Sequence, residues 1–252
     1  MLRDPLAGRL GRPLAIAHRG DPIPLRENTI PSIGSAVSLG ADIVEIDVKT
    51  TRDGVSVVLH DDSLVRLWGV DRDIRTMTAA EVAAVGEGTW RIPTLEQVLA
   101  LFTGTDTAVM IDMDSGEWAA AARATTRRVL DRGAVRPTQV VWCGAVEGMR
   151  EVRAADPEAR IFLSWGEEAV DGPPSDALVR ALRPEAFNPY WRVLDLGGRE
   201  WAAARGIPVS CWTVDDPTTM REIVAAGVDA VISNDIRTLL SVLGADAAEE
   251  SA

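Results

Sequence analysis

The chain has 252 residues, of which 46% are hydrophobic and 25% charged, and its formal net charge is −12. That length and balance suit one globular α/β domain with a full core, and two cysteines, Cys143 and Cys211, exclude a disulfide-stapled scaffold. The acidic surplus argues against a nucleic-acid partner and against an anionic membrane surface, so a site for an anionic substrate would have to carry its own positive charge.

From the N-terminus, 14–18 reads as a buried strand that runs into His18-Arg19-Gly20. A helix over 29–39 has Asn28 and Thr29 as candidate caps and stops at Gly40. A second strand, 43–48, holds Glu45 and Asp47, and the turn Thr51-Arg52-Asp53-Gly54 leads into an extra strand, 55–60, ending at His60-Asp61-Asp62. A long connection follows to Arg91, and connections of that length are usually functional or carry structure of their own. The helix at 94–101 opens on a capping-box pattern, Thr94 with Gln97. Strands at 108–113, 139–143, 160–164, 186–188, 208–213 and 230–233 then alternate with helices at 117–131, 145–155, 175–182, 198–205, 217–226 and 236–243. The strand at 186–188 is the weakest of these, and the small acidic tail, 245–252, is expected to fray.

The strands are short and almost continuously apolar, as in a parallel sheet covered on both faces. Eight of them alternating with helices predict a single-domain (β/α)₈ TIM barrel over 1–252, with a small insertion after the second strand at about 55–91. An open doubly wound sheet is the competing fold, and the Gly-x-Gly-x-x-Gly fingerprint that would favour it is missing from the sequence.

Working residues of such barrels sit at the C-terminal ends of strands. Glu45 and Asp47 are two apart and share a face. Paired buried carboxylates repel one another, and a hard divalent cation, Mg²⁺ or Ca²⁺, relieves both repulsion and desolvation. Asp112 on the next strand is a candidate third ligand, while a solvated or arginine-paired rim explains the same acids without a metal. His18 and His60 are the only histidines, and imidazole suits proton transfer near neutral pH. Arg19 is placed to clamp a phosphate oxygen or to pair with Glu27 or Glu45. The two cysteines, in apolar runs, are expected to be buried thiols.

The ordered series His18-Arg19-Gly20, Glu27-Asn28-Thr29, Gly40-Ala41 with Glu45-Ile46-Asp47, Thr51-Arg52-Asp53-Gly54 and Val58-Leu59-His60-Asp61 resembles the glycerophosphodiester phosphodiesterase family. The likeness continues through Ile92-Pro93-Thr94-Leu95-Glu96, Trp212-Thr213-Val214 and Gly227 to Asn234, so it covers most of the chain. The resemblance implies a TIM barrel that hydrolyses glycerophosphodiesters to an alcohol and glycerol 3-phosphate with one divalent metal. It implies Glu45, Asp47 and Asp112 as metal ligands and His18 and His60 as the acid/base pair, with His18 favoured as base. Arg19 then contacts phosphate, Glu27 orients or closes the site, and Trp212 forms an aromatic wall beside the substrate.

Two positions depart from the pattern. The family usually reads Glu-x-Lys where this chain has Asp112-Met113-Asp114, so a phosphate-binding cation is replaced by an acid. Arg66-Leu67-Trp68 stands where Arg-Thr-Thr is usual, and Trp68 either reshapes the alcohol pocket or packs on the insertion. Alternative functions are a lysophospholipase D-like enzyme forming a cyclic phosphate and a degenerate, non-catalytic phosphodiester-binding homologue. A sugar-isomerase-type barrel would need more metal-binding histidines. No run approaches the ~20 apolar residues of a membrane span, and no secretory signal is recognisable, so no stable membrane anchor and a cytoplasmic setting are expected. Oligomeric state leaves no trace in the sequence.

Overall fold

A computed structural model describes residues 11–166 and 172–249, with the side chains of 245–249 excepted. The barrel strands are β1 (Leu14–His18), β2 (Ile43–Thr50), β6 (Ala108–Met113), β7 (Val140–Gly144), β8 (Arg160–Trp165), β9 (Ala186–Pro189), β10 (Ser210–Cys211) and β11 (Ala230–Ser233). They pair in parallel in the order β10-β11-β1-β2-β6-β7-β8-β9. Isolated parallel bridges, Phe187 with Val209 and Tyr190 with Trp212, join β9 to β10 and close the ring. The expected (β/α)₈ barrel is therefore the observed one.

Strand alternation sorts the side chains into two cores. Ile16, Ile43, Met110, Val141, Phe162, Ala186 and Ile232 fill the barrel interior. Val44, Ile111, Trp142, Leu163, Phe187 and Val231 point outward, against the helices. Those helices are α1 (Ile30–Leu39), α4 (Leu95–Leu99), α5 (Ala119–Asp131), α6 (Val146–Ala155), α7 (Asp176–Leu182), α8 (Gly198–Ala203), α9 (Pro217–Ala225) and α10 (Ile236–Glu249). The Thr94–Gln97 capping box at α4 forms as the sequence suggests. The last helix continues to Glu249, past the expected stop at Leu243, so the tail is helical as far as it is described.

The insertion contains β3 (Ser56–Val58), α2 (Val65–Trp68), α3 (Ala79–Ala83) and a hairpin of β4 (Gly86–Glu87) with β5 (Trp90–Arg91). Its β3 lies antiparallel to the far end of β2, with Val48 opposite Val58, and a small core of Leu59, Leu64, Ile74, Met77, Val82 and Ile92 holds the rest. Trp68 packs against this core with the Arg26 guanidinium 4.5 Å above its ring, so it is an insertion residue and not part of an open pocket.

Several strand boundaries differ from expectation, among them β2, which runs on to Thr50, and β3, which is only Ser56–Val58, and two of the differences have a clear cause. Gln139 is outside β7, because its side-chain amide donates to the carbonyls of Phe102, Thr105 and Thr107 and plugs the lower end of the barrel. Only Ser210 and Cys211 keep regular strand pairing in the 208–213 run. Pro208 and Pro189 lack amide protons, so the β9–β10 seam has few rungs to offer.

Candidate active site

The loop after β1 is built on unusual backbone. Arg19 has φ 59°, Gly20 has φ 92° and Asn28 has φ 57°. Left-handed non-glycine residues are costly and persist where surrounding contacts enforce them. Here the bend aims the Arg19 amide at Glu45 Oε2, at 3.0 Å, while the Arg19 carbonyl accepts from the Asn28 amide and the Ser32 hydroxyl. A Cβ at Gly20 would lie 2.4 Å from Ser32 Oγ, which explains a glycine after Arg19.

Glu45, Asp47 and Asp112 face the same mouth from adjacent strands, with Asp47 and Asp112 directly paired in register. Glu45 is 3% exposed. Burial and the charges of Asp47 and Asp112 push its carboxyl well above the ordinary value. Burial and Asp47 raise Asp112 to about 7. Asp47 differs: Asn28 Nδ2 donates to its Oδ2 at 2.7 Å, and Arg19 Nε lies 3.2 Å from the same oxygen. The Arg19 guanidinium also donates to Glu27 at 3.0 Å. Arg19 thus makes the ion pair with Glu27 that was one of its two expected roles, and it also neutralises part of the acid wall.

The donor set suits a hard divalent cation: three carboxyl groups crowd one mouth, and burial with mutual repulsion disfavours their charged forms, a penalty such an ion would relieve. Among the described residues, however, no three His, Cys, Asp or Glu side chains converge at ready metal-ligand spacing. In this arrangement Arg19 is the cation that Asp47 meets.

The histidines have different settings. His18 Nδ1 is 2.8 Å from Asn234 Oδ1, and Asn234 Nδ2 donates to Asp215 Oδ2 at 2.8 Å. That second bond orients the Asn234 amide with its oxygen toward the ring, so Nδ1 carries the proton and Nε2, 3.9 Å from Glu45, keeps a lone pair. Burial, then the neighbouring Arg19 charge, lowers the His18 pKa. His60, at the end of the insertion strand, has Nδ1 2.6 Å from Asp61. Arg66 holds Asp61 as a carboxylate, with its pKa lowered to about 2. The same Arg66 donates to both Glu27 oxygens, at 3.1 and 2.6 Å, and so ties the insertion across the mouth to the β1 loop.

The charge reversal at Asp114 has a structural answer. Lys49, two residues beyond Asp47 on the same face of β2, pairs with Asp114 and, at 3.0 Å, with Asp62. Its ammonium lies 5.2 Å from the Trp118 ring centroid, and Trp118 Nε1 donates to Asp114. The lysine side chain is 2% exposed, so it discharges the rim acids from below. Sequence reasoning missed this partner, although the spacing of Glu45, Asp47 and Lys49 on one strand face announces it. It also passed over Asp61, Asp215 and Asn234, whose roles depend on contacts between distant segments.

The inward residues at the upper ends of β7 to β10, Cys143, Ser164, Asn188 and Ser210, are uncharged. Cys143 Sγ is 3.5 Å from Asp112 Oδ2, and both cysteines are free, buried thiols, as expected. A Cβ at Gly144 would fall 2.6 Å from Asp112 Oδ1. The Trp212 indole donates to the Asn188 carbonyl at 3.0 Å, and its ring meets that of Tyr190 at 5.5 Å.

A closed barrel with carboxylates and two differently set histidines at its C-terminal mouth carries its polar cluster where barrel enzymes hold their sites. Residues 18–238 match the Glycerophosphoryl diester phosphodiesterase family, and the chain belongs to it. It is 29% identical to the "Glycerophosphodiester phosphodiesterase" of Caldanaerobacter subterraneus subsp. tengcongensis, over 91% of this chain and 97% of that one. It is 33% identical to "Probable glycerophosphodiester phosphodiesterase 2" of Mycobacterium tuberculosis, over 93% and 92% of the two chains. Among solved structures, a putative family member from Silicibacter pomeroyi superposes with TM-score 0.83 at 21% identity, covering 96% and 97%. A phosphodiesterase from Oleispira antarctica, solved in complex with the product sn-glycerol-3-phosphate, gives 0.81 at 24% identity, covering 93% and 98%.

Proposed function

We propose that the protein hydrolyses glycerophosphodiesters to an alcohol and glycerol 3-phosphate, with one divalent cation, Mg²⁺ or Ca²⁺, and with His18 and His60 as the proton-transfer pair. The observation that carries this reading is the opposite setting of the two imidazoles beside one acid cluster. Burial lowers the His18 pKa and Nδ1 faces the Asn234 oxygen, which favours the neutral ring with Nε2 as the accepting nitrogen, the form a general base requires. His60 donates to a permanently charged carboxylate, which orients the ring and stabilises it when it carries the proton to be given to the leaving alcohol. Glu45, Asp47 and Asp112 would hold the cation, which withdraws charge from the phosphate and fixes it for in-line attack.

Arg19 and Asn28 both meet Asp47 Oδ2, so a cation would take Oδ1, and a phosphate oxygen on it would find the Arg19 guanidinium alongside. Glu27 and Arg66 keep the β1 loop and the insertion together while this happens. A glycerol hydroxyl attacking through His18 would give a cyclic phosphate that water then opens. Direct attack by water would use the same two histidines.

A second reading, cleavage of lysophospholipids, is favoured by one feature. Ile23, Val65 and Leu196, three of the most exposed large apolar side chains, lie on segments that follow β1, β3 and β9. No helix among the described residues is long and apolar enough to cross a membrane. A panel of glycerophosphodiesters and lysolipids, each assayed without metal, with Mg²⁺ and with Ca²⁺, tests both readings. Alcohol release from glycerophosphodiesters only with metal is the expected result; no release from any diester would overturn the proposal and leave a binding protein.

A further inference from the structure

The barrel interior contains polar groups that the acid–base machinery does not use. Asn188 is 2% exposed and Ser210 is fully buried. Asn188 Oδ1 and Ser210 Oγ have no hydrogen-bond partner among the described residues. Orphaned buried polar atoms cost free energy and are rare unless something binds to them.

Their position follows from register. Ala186 belongs to the interior core and Phe187 to the outer one, so Asn188 points inward. Val209 also belongs to the outer core, so Ser210 points inward as well. The bridge between Phe187 and Val209 then sets Asn188 and Ser210 side by side. A chain of contacts links them to the acid wall. Asp112 meets Cys143; the next residue, Gly144, donates its amide to Ser164 Oγ at 3.2 Å; and Asn188 Nδ2 donates to the same Ser164 Oγ at 3.3 Å. That bond turns Asn188 Oδ1 away from Ser164. Trp212 closes the top by donating to the Asn188 carbonyl and packing against the interior core.

We propose that Asn188 and Ser210 form a polyol-recognition subsite, in which Asn188 Oδ1 accepts from a substrate hydroxyl and Ser210 Oγ pairs with the same or the adjacent one, beneath Trp212. One acceptor beside one donor–acceptor matches a hydroxyl, which both donates and accepts. Asn188 and Ser210 stand on β9 and β10 and the carboxylates on β2 and β6, so a diester whose phosphate meets the carboxylates would bring its glycerol hydroxyls to the pair past the edge of Trp212. This inference rests on the phosphodiesterase reading and adds to it the residues that choose the polyol.

The test compares two ligands of equal phosphate and carbon chain. Calorimetry in Mg²⁺ gives the affinities of glycerol 3-phosphate and of propyl phosphate, which lacks both hydroxyls. The wild-type protein should prefer glycerol 3-phosphate about 10-fold or more, because a site built for hydroxyls rejects the analogue that leaves its polar groups unpaired. In Asn188→Leu that ratio should fall to within about threefold of unity, and Ser210→Ala should lower it by less. Where Asn188→Leu does not melt as a folded protein, Asn188→Ser and Ser210→Ala carry the comparison. No preference in the wild type, or an unchanged ratio in the variants, would mean that the pair holds only an internal water and would overturn the subsite. Diester hydrolysis is measured separately on the wild type. A protein that prefers the polyol but hydrolyses nothing keeps the subsite and loses the proposed reaction; hydrolysis with no polyol preference does the reverse.

Discussion

The two halves of the barrel mouth are chemically unlike. The half formed by β1, β2 and β6 holds His18, Glu45, Asp47, Lys49, Asp112 and Asp114, whereas the half formed by β7 to β10 presents Cys143, Ser164, Asn188, Ser210 and Trp212. The strands are equally buried, so the difference lies in what their inward positions do. Charged groups pay for burial only where they meet opposite charge or reacting atoms, and the first half supplies both through Arg19, Lys49 and the anionic substrate. Neutral hydrogen-bonding groups suit recognition of an uncharged polyol, which is the task left to the second half. On the two proposals above, the barrel would separate chemistry from recognition by strand, on one continuous sheet.

The comparison can be broken most forcefully at the histidines. His18→Ala and His60→Ala should each lower turnover by at least ~10²-fold, the usual worth of a general acid or base. Initial rates on a glycerophosphodiester measure it, and near-wild-type turnover in either variant sinks the pairing. Next in size is the metal. Chelation should abolish activity, and Asp112→Asn should raise the Mg²⁺ or Ca²⁺ concentration needed to restore it by roughly 10-fold or more. Restoration of full rate in the chelated enzyme without any cation would remove the acid wall's proposed role.

A third expectation concerns pH. Asp112 is raised to about 7 in the folded protein, so it still holds a proton that the unfolded chain released near the ordinary carboxylate value of about 4. Protons bound preferentially to the folded state make stability fall as pH rises through that interval. The metal-free protein should therefore melt lower at about pH 8 than at about pH 5, with Glu45 acting in the same direction and His18, whose pKa burial lowers, opposing them in part. Asp112→Asn should narrow the gap, and added divalent cation should close it. A gap left unchanged by Asp112→Asn would contradict the raised carboxyl of the acid wall.

The smallest effect is expected at the rim. Asp62 and Asp114 are 43% and 57% exposed, so solvent screens their pairing with Lys49. Asp114→Asn should cost less than about 1 kcal/mol, since Asp62 remains to hold the ammonium, whereas Lys49→Met should cost about 1 kcal/mol or slightly more. Denaturant unfolding resolves the difference, and a larger loss in Asp114→Asn would show that Asp114 and not Asp62 anchors the lysine.

Legibility in the sequence divides along the same line as the mouth. On the charged half, Glu45-x-Asp47 and the strand-end His18 and His60 could be read directly, because period-two alternation and scarcity of histidine are properties of the chain alone. Lys49 extends the same alternation and was within reach. The neutral half was nearly silent. Asn188 sits in the weakest expected strand, next to Pro189, and Ser210 in the 208–213 run, two residues after Pro208, and a lone asparagine or serine in a short apolar run carries no signal of its orphaned atom. Arg19 shows the middle case: its neighbours were named correctly, but its left-handed backbone and its contact with Asp47 could not be.

The sequence by itself determined the alternation of strands and helices, the insertion, the acids and histidines at strand ends, and the family likeness, because all of these are local patterns or ordered motifs. Only the tertiary structure decided which cation answers Asp114, which nitrogen of His18 is free, and which interior atoms lack a partner. Those depend on residues far apart in the chain, Lys49 with Asp114, Asn234 with His18, Phe187 with Val209, that meet only once the barrel closes.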